Sequence, residues 1–484
     1  MSSTSLSLPT TDAPPTQDDI AQTFRRLNAH ASAVRHTTAD QRKAKLQRLA
    51  DALLARRETF ARALNADFGK APVEVDLTEI KAVTKEAEHA IAHLDDWMAV
   101  DTVSSLLLFT GTRSEIHYEP KGVSLIMSPW NYPVNLTLGP LIGAIAAGNC
   151  VVLKPSEHTP HTAAALQDLI EDVFDEREVT VVTGGPDVAQ ALTAQPFDHI
   201  YFTGSPAIGR LVMKAAAEHL ASVTLELGGK SPGIVDATAN LKRAAGRIAW
   251  SKFTNAGQTC IAPDYLLVEE RVRDALVDRL RDTIHRFYGT TPADQQASDD
   301  YARLVHEDHY DKVMDLLTGA VDDGATVAVG GQHDRASRYV APTILTNVPL
   351  DAHIMKDEIF GPLLPILSYQ SLDEALHVIN DRPAPLSLYV FSERDATVDT
   401  VLNQTTAGTT CVNEGFIHFI NPSLPFGGKG ESGLGRAHGF RSFREFSNER
   451  SVLRRTYGSD ILQTLYPPYN RLTSQVADWV LRYF

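Results

Sequence analysis

Residues 122–157 read GVSLIMSPWNYPVNLTLGPLIGAIAAGNCVVLKPSE, and this stretch decides the fold. Gly122 to Met127 is a continuous apolar run that stops at a polar turn, SPWNYP. Thr137 to Gly148 is long enough for a helix, and a second run, Cys150 to Leu153, follows it. Runs that are apolar throughout, rather than alternating, suit strands buried on both faces of a parallel sheet. The same rhythm continues outward through Val179 to Val182, Ile200 to Phe202 and Val223 to Leu227, with crossover lengths at Thr159 to Phe174 and Ala207 to Glu218. Strand and helix in strict alternation predict a doubly wound α/β sheet.

Upstream, Asp18 to Phe68 carries Leu46, Leu49, Leu53, Phe60, Leu64 and Phe68 at helical spacing. Downstream, a second α/β pattern opens at GIVD (233–236), adds a helix near Leu241 to Lys252 and runs to Cys411. NPSLPFGGKGESGLGR (421–436) is glycine-rich and reads as a long ordered loop. The tail places Leu472, Val476, Trp479, Val480 and Phe484 on one helical face, suited to docking on its own subunit or a partner, or to a membrane surface or substrate entrance.

A chain of 484 residues divides into two or three packed units. Hydrophobic residues at 43% and charged residues at 22% are ordinary for a soluble protein, and a net charge of -15 argues against nucleic-acid binding. The start, MSSTSLSLPTTDAPPTQDD, lacks the basic and apolar regions of a signal peptide and reads as a disordered leader. No uncharged apolar run is long enough to span a bilayer, so a cytoplasmic protein is expected. Three scattered cysteines, Cys150, Cys260 and Cys411, fit neither a zinc site nor a disulfide framework.

Each cysteine is then core filler or nucleophile. Cys150 (GNCVVLKP) and Cys411 (GTTCVNEG) lie in strand-like surroundings and read as core. Cys260, in NAGQTCIAPDY, has Gly257 to let backbone approach a ligand, Gln258 and Thr259 as polar neighbours, and Pro263 to end the segment. Glu226, in VTLELGGKSPGIVD, is a carboxylate inside an apolar strand, which needs an ion-pair partner or a task. The task would be that of a general base whose pKa is raised by apolar surroundings. Asn131 could donate its amide to a developing oxyanion, or simply form the turn before Tyr-Pro. Lys154 and Glu157 stand at the carboxyl end of a strand, where open α/β sheets bind ligands, and could hold ribose hydroxyls. FTGSPAIG (202–209) gives a strand–turn–helix whose Gly204 and Gly209 could cradle a phosphate, although the spacing is GxxxxG and not GxGxxG.

Together SPWNYP, VVLKPSE, FTGSPAIG, LELGGKSP, NAGQTCIAPDY, EIFGP (358–362) and LPFGGKGESGLG resemble the aldehyde dehydrogenase superfamily, in order and separation, from about residue 20 to 460. RIAWSKF, APDYLL, RYVAPTIL and HGFRSFREFS are most similar to its class 3 branch of fatty, aromatic and coniferyl aldehyde dehydrogenases.

The resemblance implies Cys260 as nucleophile, Asn131 with the Cys260 backbone N–H as oxyanion donors, and Glu226 as the base that releases the acid. It implies NAD as cofactor, with NADP possible. Ser128, Trp130, Lys154, Glu157, Gly184, Thr203, Gly204, Ser205, Gly209, Leu227, Gly228, Glu358 and Phe360 would bind it. No metal is implied.

The implied architecture is a Rossmann-like cofactor domain (18–112 and 122–228), an α/β catalytic domain (229–436) and a small β bridging element (113–121 and 437–460). A leader (1–17) and a tail helix (461–484) flank these. Relatives of class 3 suggest a homodimer acting on a hydrophobic aldehyde. The tail after Tyr466 lacks the apolar span of membrane-anchored relatives. Two rivals are a non-catalytic structural relative and an acylating enzyme that passes its thioester to coenzyme A; Glu226 counts against both.

Overall fold

The computed structural model describes residues 14–104, 111–455, 463 and 466–483. The expected leader therefore lies almost wholly outside the described residues, as do parts of the tail, including Phe484. The first ordered element is the helix Gln17–Arg35, started by Thr16, whose hydroxyl and backbone form a reciprocal capping box with Asp19. Thr38 with Gln41 starts Ala39–Ala55 in the same way. Arg57–Phe68 ends at Gly69, where φ is 70° and a side chain would be strained. Leu46, Leu49, Leu53, Phe60, Leu64 and Phe68 are fully buried, as their spacing predicted.

The helical region does not end at Phe68. Pro72–Val75 leads into a π-helical turn, Asp76–Ile80, and then into Lys81–Met98. The charged residues of this stretch mask its periodicity in the sequence. Several of them, Lys70, Glu79 and Glu86 among them, point inward.

The first sheet orders its strands Gly433–Leu434, Ser222–Leu227, His199–Gly204, Val123–Met127, Cys150–Lys154 and Val179–Val181. All pair in parallel except the first. The chain therefore winds outward in both directions from Val123–Met127, and the switch point lies beside that strand. In open α/β sheets ligands bind at the carboxyl ends of strands next to such a point. Asn135–Ala147, Pro160–Val173 and Pro206–Ala217 are the expected crossovers.

The second sheet runs Thr326–Val329, Thr343–Thr346, Leu363–Tyr369, Tyr265–Glu269, Pro232–Val235, Ser387–Phe391 and Thr409–Val412, again parallel but for the first strand. The glycine-rich loop is not all loop. Its Gly433–Leu434 returns to the first sheet and pairs Gly433 with Glu226. A third, antiparallel sheet joins Thr112–Pro120 to Ser447–Arg455, with Asp101–Val103 on the other side.

The tail forms the helix Arg471–Tyr483. Among its described residues Thr473 is buried, Val476 and Val480 are half-buried, and Leu472 is 60% exposed, so the apolar face expected from the sequence is only partly buried. No helix among the described residues is long and apolar enough to cross a membrane.

Candidate active site

Cys260 follows a short turn, Thr254–Gly257, in which Asn255, Ala256 and Gly257 have φ of 56°, 52° and 74°. Gly257 was expected to make room for a ligand. Its neighbour is instead backbone: a Cβ there would stand 2.3 Å from the Gly361 carbonyl oxygen. The thiol is half-buried, whereas Cys150 and Cys411 are buried as the core reading expected. Burial raises the Cys260 pKa well above that of an ordinary thiol, and the carboxylates of Glu358 and Glu226 push the same way. The backbone N–H groups of Cys260 and Ile261 oppose this by favouring the thiolate.

The thiol opens on a cavity. Tyr132, Tyr201, Phe416, Phe419, Phe426 and Leu136 give it an apolar wall, and Thr203, Leu227 and Glu226 reach the same space. Glu226 is 5% exposed, and neither carboxylate oxygen has a hydrogen-bond partner among the described residues. Burial raises its pKa well above the ordinary carboxylate value; Arg436 works against that shift and Glu445 adds to it. The ion-pair explanation for this residue therefore lacks a contact. Asn131 is 3% exposed; its side-chain amide donates to the Gln258 carbonyl at 3.0 Å, which ties it to the cysteine loop.

A second space lies beyond the end of strand Ser222–Leu227. Ser205, Gly228 and Glu358 line it, together with Arg210, Lys230, Lys312, Lys356 and Arg382. The Glu358 carboxylate packs against Gly228, where a Cβ would stand 2.0 Å from it and displace it. A Cβ on Gly209 would stand 2.8 Å from Leu227, which itself is buried. Ser205 caps Pro206–Ala217, leaving that helix N-terminus facing the cleft as an anion site. Burial raises the Glu358 pKa to about 8, with Asp264 adding to the shift and the Gly229 N–H opposing it. This cationic cleft at strand ends has the chemistry a dinucleotide requires.

The remaining sequence-derived residues are not among those that line that cleft; Thr203 and Leu227 reach the apolar cavity instead. Phe360 meets the edge of Trp130 at 5.3 Å and accepts a hydrogen bond from His309 through its carbonyl. Lys154 pairs with Glu157 at 3.0 Å. Burial disfavours the Glu157 carboxylate, but its own N–H and Lys154 bring its pKa below the usual value. The Ser128 hydroxyl turns inward to Thr137, leaving only its backbone for a ligand. Gly184, with φ 147°, and Gly204 meet local side chains, Val188 and Phe202. Sequence reasoning missed the cations Arg210, Lys312, Lys356 and Arg382, since single charges on helices and loops look like solvated surface.

These features carry the signature of one family, and comparison bears it out. Residues 11–452 match the aldehyde dehydrogenase family. The chain belongs to it. Aldehyde dehydrogenase family 3 member B2 of Mus musculus is 42% identical over 460 residues, covering 95% of this chain and 94% of its own. The 4,4'-diaponeurosporen-aldehyde dehydrogenase of Staphylococcus aureus is 46% identical over 412 residues, 85% of this chain and 88% of its own.

Among solved structures, Staphylococcus aureus AldH in a substrate-bound state superposes with a TM-score of 0.90 at 42% identity, over 95% of this chain and 99% of that one. A betaine aldehyde dehydrogenase of the same organism, in complex with NAD+, gives 0.83 at 27% identity, over 93% and 90%. The fold is that of the family, of class 3 kind, and the protein is an aldehyde-oxidising enzyme that uses an NAD-type cofactor.

Proposed function

We propose that this enzyme oxidises hydrophobic aldehydes, aliphatic or aromatic, to carboxylic acids with NAD and through a thioester on Cys260. The observation that carries the reading is the thiol on an apolar cavity that also contains Glu226, within the electrostatic reach of Glu358, which lines the charged cleft. The apolar walls favour fatty or coniferyl-type aldehydes over small polar ones. A relative named for a polyene aldehyde points the same way.

In this mechanism Cys260 adds to the aldehyde carbonyl and forms a thiohemiacetal. The Asn131 amide and the Cys260 N–H hold the oxyanion, a contribution of about 10²–10³-fold where one such donor is lost. Bound NAD supplies the hydride acceptor. Glu226 then draws a proton from water, which attacks the thioester and releases the acid. The unpartnered carboxylate fits this role, since a raised pKa makes it a stronger base than an ordinary carboxylate. An acylating enzyme would have no use for such a base.

In the cleft, Ser205 and the helix it caps would hold the pyrophosphate, Lys154 and Glu157 the adenosine ribose, and Glu358 with Phe360 the nicotinamide end. The remaining named residues, Ser128, Trp130, Gly184, Thr203, Gly204, Gly209, Leu227 and Gly228, would shape its walls. Residues 18–112 and 122–228 would serve as cofactor domain, 229–436 as catalytic domain, and 113–121 with 437–460 as bridging element. Ser447–Arg455 and Thr409–Val412 are edge strands among the described residues, and an edge strand that pairs with a second copy would make a homodimer. Light scattering at twice the chain mass would confirm it and a monomer would exclude it.

The decisive test is Cys260→Ala. Aldehyde oxidation should fall by about 10⁴-fold or more, with NADH binding retained. Oxidation that survives this change would end the proposed mechanism.

A further inference from the structure

We propose that Lys70, Glu74 and Glu79 form a buried clamp that sets the spacing between the Asn131 turn and the Cys260 loop. The inference rests on the reading of Cys260 and Asn131 given above. The three residues flank or lie within the short helix Pro72–Val75 and the π-helical turn Asp76–Ile80. Such turns interrupt regular helix and are frequent at functional sites. None of the three lines the cavity at the thiol, so none is a catalytic residue. Each is tied instead to the backbone or side chains that build the cavity's reactive end.

Glu79 holds one wall. Its Oε2 accepts hydrogen bonds from the backbone N–H of Val134 at 3.1 Å and of Asn135 at 2.9 Å, where the helix Asn135–Ala147 begins. These donors are three and four residues after Asn131. A carboxylate at this point meets both the unpaired N–H groups and the positive end of the helix dipole. Its Oε1 accepts from Lys70 Nζ at 2.7 Å, and both side chains are completely buried. Lys70 Nζ also lies 4.0 Å from the centre of the Tyr132 ring. The Tyr132 hydroxyl shares a hydrogen bond of 2.6 Å with Thr259, the neighbour of the nucleophile.

Glu74 holds the other wall. Its Oε2 accepts from the backbone N–H of Asn255 at 3.0 Å. Asn255 opens the left-handed run that turns the chain toward Cys260, and two of its three residues are not glycine. Such backbone persists only when its surroundings over-determine it. Asn255 Nδ2 closes the circuit by donating to the carbonyls of Asn131 at 2.9 Å and Gln258 at 3.1 Å. Lys70 lies within the electrostatic reach of Glu74 as well, lowering a pKa that burial raises to about 7. One cation thus serves two carboxylates, each gripping one of the two loops.

A buried ion pair could equally be plain scaffolding, so the test must separate spacing from stability. Alkylation of Cys260 by iodoacetamide needs the sulfur but forms no oxyanion. Acyl transfer from a 4-nitrophenyl ester, like aldehyde oxidation, needs both. In Glu79→Gln and Lys70→Met, ester hydrolysis and aldehyde kcat/KM should fall by about 10- to 100-fold, because donors must be held to within about 0.5 Å. Alkylation rate and NADH affinity should stay within about twofold of the parent, and Lys70→Arg should recover most of the loss. A parallel fall in alkylation and acyl transfer would overturn the clamp, as would acyl transfer that stays within about twofold. Should Lys70→Met fail to fold, Glu79→Gln decides alone, since it keeps shape and an acceptor oxygen. Cys260→Ala is run beside them: ester hydrolysis or aldehyde oxidation that survives there removes the nucleophile reading and the clamp with it, whereas an unselective Glu79→Gln removes only the clamp.

Discussion

The apolar cavity at Cys260 and the charged cleft beyond strand Ser222–Leu227 are built in different ways. The cleft sets backbone at strand ends, the helix that Ser205 caps and Gly228, beside charged side chains such as Arg210 and Lys230. The apolar cavity is made by side chains from at least five separate segments, from Ala82 and Glu86 through Tyr132–Pro140, Tyr201–Thr203 and Phe416–Phe426 to Ala437–Ser442. Backbone at a sheet's switch point is dictated by topology, so the cleft should be common to the family. Side chains from scattered loops can change singly without disturbing the fold. The comparison teaches that chemistry and cofactor belong to the scaffold, whereas aldehyde choice belongs to its decoration.

Glu226 stands at the boundary, and its removal should give the largest effect. In Glu226→Gln the steady-state rate should fall by about 10²–10⁴-fold, while the first-turnover burst of NADH persists, because only thioester hydrolysis needs the base. The base works ionised. Burial raises its pKa above the ordinary value, an effect that Arg436 opposes and Glu445 reinforces. The parent rate should therefore climb with pH through a range above that of an ordinary carboxylate, and the variant should lack this limb. Loss of burst and steady state in equal measure would assign Glu226 an earlier role.

The cavity side is tested by truncating one wall. Phe426 lines the cavity and stacks against His438 at 5.1 Å. Burying an aromatic ring's worth of apolar surface is worth about 10- to 100-fold in binding. Phe426→Ala should lower kcat/KM by that factor for a long n-alkanal while changing propanal little. Equal losses on both would mean that the long chain does not lie along this wall.

What the sequence made legible follows the same division. Buried parallel strands are continuous apolar runs, so Val123–Met127, Cys150–Lys154 and His199–Gly204 could be read directly, and with them the turns they carry. Glu226 was legible because a carboxylate in such a run is anomalous. Lys70, Glu74 and Glu79 were not: in a charged stretch such residues usually face water, and only the tertiary fold turns them toward the Asn131 and Cys260 loops. Gly257 was recognised as necessary but for the wrong neighbour, since the approach of Gly361 comes from residues a hundred positions away. The cavity walls left no signal, because no local pattern records which loops will meet.

The smallest expected effect lies at the end of strand Cys150–Lys154, where a single charge would set preference rather than rate. Glu157 is held ionised by Lys154 and its own N–H at the end of Cys150–Lys154. An anion beside the adenosine ribose should repel the 2′-phosphate of NADP, yet the site is partly open to solvent, so screening limits the penalty. Glu157→Gln should raise the ratio of NADP to NAD kcat/KM by about tenfold, equivalent to about 1.4 kcal/mol, with most of the change in KM. Added salt should shrink the difference between parent and variant. A ratio that does not move would place the ribose away from this carboxylate, and the assignment of the strand end to the adenosine half of the cofactor would then fail. The chemistry at Cys260 would survive that outcome, since the cavity and the base are argued from other residues.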